Sequence, residues 1–462
     1  MIHLRSAGLG LGLLCLLLCA CVPPEPAPEL APLPSPGGHN VLLVLIDDLG
    51  LDKVPRYGVY PQQPELPNLD RLADQGVTFR YATAMPVCSP TRATLLTGRL
   101  PRRHGLGEAI NSSTAIELPL EARLLPEVLR DHSPHPYTSV ALGKWHLSTP
   151  TSPTGLAHPV EQGFDVYAGG LDNLPSFYSW PKVIEGALEQ SETYATTDTT
   201  NDAIVQMLTL PEPWFLYVAY HAPHLPFHTP PGDLHGQELG DDALPEDSFV
   251  AMAEAMDTEL GRLLDALPAT LRDRTTVIVS GDNGSEPVVT TPPFDPDRAK
   301  VSVYEGGVRV PLIVSSPQVR EPGAWSDALV HIADLFPTVA ELADVDPGSL
   351  GWELDGISLL PWLRDPLAPS GRDIVYTERL VPPGPPPYTT RDDRAVRDAT
   401  HKLVLRSGAT QTDIASLHRF VDDGLDEGPN LLDGPLSADD QEAYDRLLAA
   451  LRDHEALPYE GW

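Results

Sequence analysis

Val41-Leu42-Leu43-Val44-Leu45-Ile46-Asp47-Asp48 is an unbroken apolar run that stops at two adjacent carboxylates. A strand with one wet face alternates apolar and polar residues; a short run without alternation marks a parallel strand covered on both faces. The design recurs. Tyr137 to Leu142 runs into Gly143-Lys144-Trp145-His146, and Trp214 to Tyr220 into His221-Ala222-Pro223-His224. Thr276 to Ser280 runs into Gly281-Asp282-Asn283-Gly284. Such strands, alternating with helical stretches, predict an α/β fold with a large, mostly parallel sheet sandwiched by helices. Ligands bind open α/β sheets outside the carboxyl ends of the strands, so one edge collects these polar residues. Two adjacent carboxylates at a buried strand end repel unless a cation sits between them. Asp-Asn-Gly after a strand offers oxygen ligands that suit a hard cation. Each motif alone also reads as a solvated turn or a βα turn. Their recurrence at four strand ends favours a site.

Between the first two of these strands lies Pro86-Val87-Cys88-Ser89-Pro90-Thr91-Arg92-Ala93-Thr94-Leu95-Leu96-Thr97-Gly98. Pro suits the first turn of a helix, and Gly98 can end it at a left-handed cap. Cys88 then points out of a helix N-terminus, where free N–H groups and the dipole favour an anion, and Arg92 can reach the same anion. For an isolated Cys, a buried structural role is the ordinary reading. Cys-x-Pro-x-Arg, with Leu-Leu-Thr-Gly following, instead resembles the signature of the type I (formylglycine-dependent) sulfatases of the alkaline phosphatase superfamily.

The resemblance extends from Asn40 to Leu432. It continues through Thr97-Gly98-Arg99-Leu100-Pro101-Arg102-Arg103-His104-Gly105, in which His104 is given no chemical role. The segment around Gly143-Lys144-Trp145-His146 is similar to the second family signature, with Pro136 where Gly is usual and Leu142 where Ile, Val, Ala or Ser is usual. Lys300 to Pro311 resembles the Lys-x-x-x-Tyr-Glu-Gly-Gly segment, and Leu417 to Asp422 with Asn430-Leu431-Leu432 resembles the closing motif.

What the resemblance implies is specific. The fold is alkaline phosphatase-like, with a catalytic domain over 39–365 and a small C-terminal antiparallel sheet plus helix over 366–462. A maturing enzyme converts Cys88 to formylglycine, whose hydrated aldehyde attacks sulfur. Ca²⁺, with Mg²⁺ also compatible, is held by Asp47, Asp48, Asp282, Asn283 and residue 88. Arg92, Lys144 and Lys300 hold the developing charge, His224 protonates the leaving alcohol, and His146 takes the proton of the second hydroxyl as sulfate is expelled. The implied activity is hydrolysis of sulfate monoesters. Phosphonate monoester and phosphodiester hydrolases share the fold and the cysteine signature. An inactive lipoprotein that binds anionic glycans is the other alternative, but no metal ligand and no Arg92 is missing. No second set of Asp and His stands out for a second metal, which favours sulfate over phosphate monoesters.

Helices are expected over Pro67–Gln75, Leu118–Asp131, Pro245–Leu267, Val330–Leu342 and Ala438–His454. In the third, Phe249, Met252, Met256 and Leu260 share a core-facing side. Short strands are expected at Ile374–Thr377 and His401–Leu405, and Pro287 to Ala299 reads as a short Pro-rich loop.

Composition sets outer bounds. The 462 residues carry a net charge of −34, which argues against a nucleic-acid partner. A cationic pocket still governs a small anion within a Debye length of roughly 8–10 Å, whereas a long sulfated polymer meets the whole repelling surface. A small sulfated molecule or a glycan end is the expected substrate. The cysteines are Cys15, Cys19, Cys21 and Cys88, so the body of the chain has no disulfide framework. Arg5, the apolar run Leu9 to Leu18, and Leu18-Cys19-Ala20-Cys21 read as a signal peptide over 1–20 whose end resembles a bacterial lipobox. Cys21 is then the lipidated first residue of an exported lipoprotein anchored to a membrane of the bacterial envelope. An ordinary signal that leaves Cys21 free is the alternative. Residues 21–38 are Pro-rich and read as a tether.

Overall fold

The apolar run from Val41 folds as a strand whose side chains alternate between two separate cores. Val41, Leu43 and Leu45 enter one; Leu42, Val44 and Ile46 enter the other. This is a computed structural model, and it describes residues 38–459 apart from 60–63, 114, 241, 408–412 and 422–423. The leader, Cys21 and the Pro-rich stretch up to position 37 lie outside the described residues.

Ten strands form the large sheet: β1 (Asn40–Ile46), β2 (Val77–Thr83), β3 (Thr138–Gly143), β4 (Val166–Gly169), β5 (Trp180–Ile184), β6 (Ala187–Ser191), β7 (Trp214–Tyr220), β8 (Thr275–Gly281), β9 (Leu312–Ser315) and β10 (Ala324–His331). Their order is β10-β2-β9-β8-β1-β7-β3-β4-β5-β6. The central run β8-β1-β7-β3-β4 is parallel, and antiparallel pairs join β9 to both neighbours and β5 to both of its own. Every residue of β1, β7 and β8 is buried, as the unbroken apolar runs Val41–Ile46 and Trp214–Tyr220 require for the first two.

One face is covered by helices Cys88–Thr97, Leu125–His132 and Leu335–Leu342, which contribute Leu95, Leu96, Val128, Leu129, Phe336 and Val339. The other is covered by Pro67–Ala73, Ala195–Thr209 and Pro245–Ala266, and the expected stripe of Phe249, Met252, Met256 and Leu260 is fully buried there.

Two expected helices begin later than their apolar patterns suggest. Leu118–Leu124 is not helical; Leu118 N–H bonds to the Leu147 carbonyl, and the helix starts only at Leu125. Pro119 and Pro126 explain this, since each removes a donor and Pro126 suits only a first turn. Val330 belongs to strand β10 rather than to a helix. The break comes at His331, whose Nδ1 accepts from Ala333 N–H while Asp334 accepts from His331 N–H.

A second sheet follows: β11 (Val375–Val381), β12 (Arg391–Arg397), β13 (His401–Ser407), β14 (Asp413–Val421) and the two-residue β15 (Asp426–Glu427), antiparallel in that order. Leu447 and Leu451 of helix Ala438–Glu455 pack on its Val396, Leu403, Leu405 and Leu417. The closing motif acts in the backbone, where Asn430 Oδ1 accepts from Leu417 and Leu432 N–H.

Glu305 of the Tyr-Glu-Gly-Gly segment joins the two sheets. Its buried carboxylate accepts from Arg309 at 2.9 Å, from Lys402 at 2.7 Å and from Arg397. Burial alone would raise its pKa, but Arg397, Lys402 and Arg309 outweigh that and hold it far below the usual range. Glu305→Gln strands three buried cations, and we expect a loss of about 3–5 kcal/mol in urea unfolding. A loss under about 1 kcal/mol, the scale of an exposed pair, would refute this role.

Candidate active site

Four neighbouring strands end at one height. Ile46 is level with Tyr220 on one side and Gly281 on the other, and Gly143 is level with Ala219. The turns that leave β1, β8, β7 and β3 therefore bring Asp47-Asp48, Asp282-Asn283, His221-His224 and Lys144-His146 together. The turns are tight: a Cβ on Gly284 would lie 1.9 Å from the Gly306 carbonyl oxygen. Among the described residues, five non-glycine residues have positive φ, and Asp48 (63°), His146 (59°) and Val301 (71°) lie in or beside this cluster. The strain at a β-branched Val next to Lys300 is the kind that persists where function fixes the backbone.

Cys88 starts its helix as expected, and Gly98 ends it at φ 68° with its N–H on the Thr94 carbonyl. Its Sγ donates to Asp47 Oδ1 at 3.3 Å and lies 4.0 Å from Asp48 Oδ1. Burial raises the Cys88 thiol well above its usual range, and Asp282 and Asp47 add to that. The unmodified residue is thus held as a thiol, a poor nucleophile.

Arg92 is fully buried beneath this group. Its Nη2 donates to Asp282 Oδ2 at 2.9 Å, its Nη1 to the Lys144 carbonyl at 2.9 Å, and Nη1 lies 3.5 Å from the Tyr217 hydroxyl. Both ends of its fork are engaged by the protein, so it charges and braces the floor of the site. Lys144 Nζ donates to Asp47 Oδ2 at 2.5 Å. Burial pushes the Asp47 carboxyl up, but Lys144, His224, Arg92 and Lys300 together hold it well below the usual carboxylate range. Asp282 goes the other way, to about 7, because burial and Asp47 both raise it.

His224 and His146 have defined tautomers, because a carbonyl can only accept. His224 Nδ1 donates to the Leu225 carbonyl at 2.6 Å, which leaves Nε2 facing Asp48 Oδ2 at 3.8 Å. His146 Nε2 donates to the Ile110 carbonyl at 2.8 Å, which leaves Nδ1 as a buried acceptor with no partner among the described residues. Burial and then Lys144 lower both, His224 to about 3 and His146 well below its ordinary value. His221 is buried between Phe177 and Trp180, and neither ring nitrogen is bonded among the described residues. His104 bonds Thr94 Oγ1 and accepts from Leu106 N–H, a structural part.

Ligand atoms of Asp47, Asp48, Cys88 and Asp282 all lie within 4.8 Å of one another. Asn283 donates Nδ2 to Asp48 Oδ1 and leaves its buried Oδ1 unbonded among the described residues. Three buried carboxylates and an orphaned amide oxygen fit a divalent hard cation.

A second set also exists: Asp48, His224 and Glu286 are mutually within 4.8 Å. The expectation that no such set stands out missed Glu286, although it lies three residues beyond Asn283 in the same turn. Lys300 already bonds two members of that set. Its Nζ donates to Asp48 and to Glu286 Oε1, both at 2.7 Å. An ammonium thus already pairs with both carboxylates of that set. Tyr217 was also missed; inside an apolar strand nothing distinguishes a hydroxyl that meets Arg92.

The fold and this edge define an α/β protein with a buried cluster of carboxylates, lysines, an arginine and histidines at the ends of its central strands. The sulfatase family profile matches residues 39–345, and the chain belongs to the sulfatase family. It is 30% identical over 346 residues to uncharacterized sulfatase YdeN of Escherichia coli (strain K12), covering 69% of this chain and 59% of that one. It is 31% identical over 366 residues to human N-acetylgalactosamine-6-sulfatase, covering 71% and 66%. The chain therefore spans less than two thirds of the length of both relatives. Ps i-CgsB in complex with k-i-k-neocarrahexaose superposes with a TM-score of 0.73 at 24% identity, over 91% of this chain and 93% of that one. Phosphonate monoester hydrolase SpPMH from Silicibacter pomeroyi superposes with a TM-score of 0.66 at 21% identity, over 90% and 95%. These likenesses establish the alkaline phosphatase-like fold.

Proposed function

We propose that the protein hydrolyses sulfate monoesters, with formylglycine made from Cys88 by a maturing enzyme as its nucleophile. The observation that carries this is the placement of residue 88, at a helix N-terminus, against a buried cluster of three carboxylates, with Lys144 and Lys300 bonded to the same carboxylates. A plain thiol there is held protonated, whereas a hydrated aldehyde offers two hydroxyls. A Ca²⁺ or Mg²⁺ ion held by Asp47, Asp48, Asp282, Asn283 and residue 88 would polarise the sulfate oxygens.

The chain's own groups do the rest. Lys144 and Lys300 supply donors and charge to the sulfate as negative charge builds up, and Arg92 holds Asp282 and the Lys144 carbonyl in register. His224 presents Nε2 to the leaving oxygen. Burial and the lysines keep that imidazole neutral while the pocket holds no anion, and the charge of a bound sulfate ester moves its pKa up toward protonation. His146 presents Nδ1 as the base that takes a proton from the second hydroxyl of residue 88 when sulfate leaves. Loss of His224 should matter most where the leaving group is a poor one. For His224→Ala we expect kcat to fall about 10²–10⁴-fold on an alkyl sulfate and far less on a nitrophenyl sulfate. Equal losses on both would remove His224 from the acid role.

The likeness to a phosphonate monoester hydrolase carries the second reading. Matched aryl sulfate, phosphonate and phosphate esters separate the two on protein with confirmed formylglycine. Sulfate should give the highest kcat/KM, and a phosphonate preference above about tenfold would move the chain to the second reading.

For the substrate class, the charge of −34 favours a sulfated small molecule or glycan end over a polymer laid on the surface. For the location, we infer from Leu18-Cys19-Ala20-Cys21 a lipid anchor on Cys21 in a bacterial envelope membrane. Wild-type protein should partition into detergent and Cys21→Ala protein should not, since stable anchoring takes more than one acyl chain. Wild-type protein in the aqueous phase, with its N-terminus elsewhere, would rule the anchor out.

A further inference from the structure

Side-chain exposure differs across the site. It is nil at Arg92, Asp47, Lys144 and Asp48, 7% at His224, 8% at Lys300 and 19% at Glu286. Glu286 is thus at the mouth on the His224 side, as Asp172, 20% exposed and 3.6 Å from His146 Nε2, is on the His146 side. Its carboxylate is within 4.8 Å of the His224 ring nitrogen, so it borders the side from which the leaving group must enter. Among the described residues, the carboxylate's bonded partner is Lys300, at 2.7 Å from Oε1. A carboxylate has about four acceptor sites and no donor, so acceptor capacity remains at the mouth.

Resting on the proposed sulfate-ester reading, we propose that Glu286 is a specificity-determining residue. It selects leaving groups that present a hydrogen-bond donor, a hydroxyl or an ammonium, beside the scissile ester, and it rejects a second anion there. The floor has the opposite sign: Lys144, Lys300, Arg92 and a cation welcome one sulfate. An ester with a neighbouring carboxylate or second sulfate must place that extra charge against Glu286, where partial burial leaves like charges less screened than in bulk water. The net charge of −34 acts in the same direction at longer range.

The test uses phenyl sulfates that carry an ortho aminomethyl, hydroxymethyl or carboxylate group, so that only the charge next to the scissile oxygen changes. Comparing each variant with wild type on the same ester cancels the intrinsic reactivity of that ester. Glu286→Gln should raise kcat/KM for the carboxylate ester about tenfold relative to the hydroxymethyl ester, and lower it for the aminomethyl ester about tenfold. Glu286→Asp should keep the wild-type order. If Glu286→Gln changes all three equally, Glu286 only positions Lys300 and the proposal fails; no change in any ratio also sinks it. Absence of turnover with every sulfate ester would reject the sulfatase reading instead. In that case calorimetric binding of the same three esters to wild-type and Glu286→Gln protein still reads the charge order.

Discussion

Cys88→Ser protein should take up sulfate from an aryl ester at most once and then stop. A serine has one hydroxyl; after attack on sulfur nothing remains on the residue to expel sulfate. The surrounding charge would still favour the attack, because Lys144, Lys300 and Arg92 are untouched. We expect steady turnover to fall about 10³-fold or more, with a sulfated peptide spanning position 88 visible by mass spectrometry. Cys88→Ala should show the same loss without the adduct. Sustained turnover by Cys88→Ser would place the nucleophile elsewhere.

Removal of a cluster carboxylate should abolish activity and bound metal together. Asp47 and Asp282 are fully buried, and each is bonded to a buried cation, Lys144 or Arg92. Asp47→Ala or Asp282→Ala therefore deletes a ligand and also leaves a stranded charge, which costs about 3–5 kcal/mol. Asp282→Asn preserves shape and separates the two effects. It keeps an oxygen on Arg92, which Asp47 still faces at 3.6 Å, so it should lose less stability than Asp282→Ala yet lose both metal, by elemental analysis, and turnover. Full metal occupancy in Asp47→Ala or Asp282→Asn would overturn the ligand assignment.

Much of this site was legible in the chain because its parts sit at the ends of strands that announce themselves. Val41–Ile46 and Trp214–Tyr220 contain no alternation, so their burial on both faces follows from composition alone, and the polar residue after each must lie at an edge. The later starts of the helices at Leu125 and Leu335 were not legible from apolar spacing. Pro119, Pro126 and the His331–Asp334 cap decide them, and those are local backbone effects. β2 went unread because Thr78, Arg80 and Tyr81 interrupt its pattern; its partners β9 and β10 lie more than two hundred residues away. Glu286 was passed over because one Glu in a Pro-rich turn looks solvated. Only the fold reveals that Lys300 reaches it.

All of the proposed chemistry passes through residue 88, and the most direct measurement is a titration of activity against its modification. Protein prepared with and without the maturing enzyme can be mixed to give a graded fraction of formylglycine at position 88, quantified by peptide mass spectrometry. Specific activity on an aryl sulfate should rise in proportion to that fraction and extrapolate to zero when only the thiol is present. Full activity in protein whose residue 88 is entirely unmodified cysteine would contradict the formylglycine mechanism.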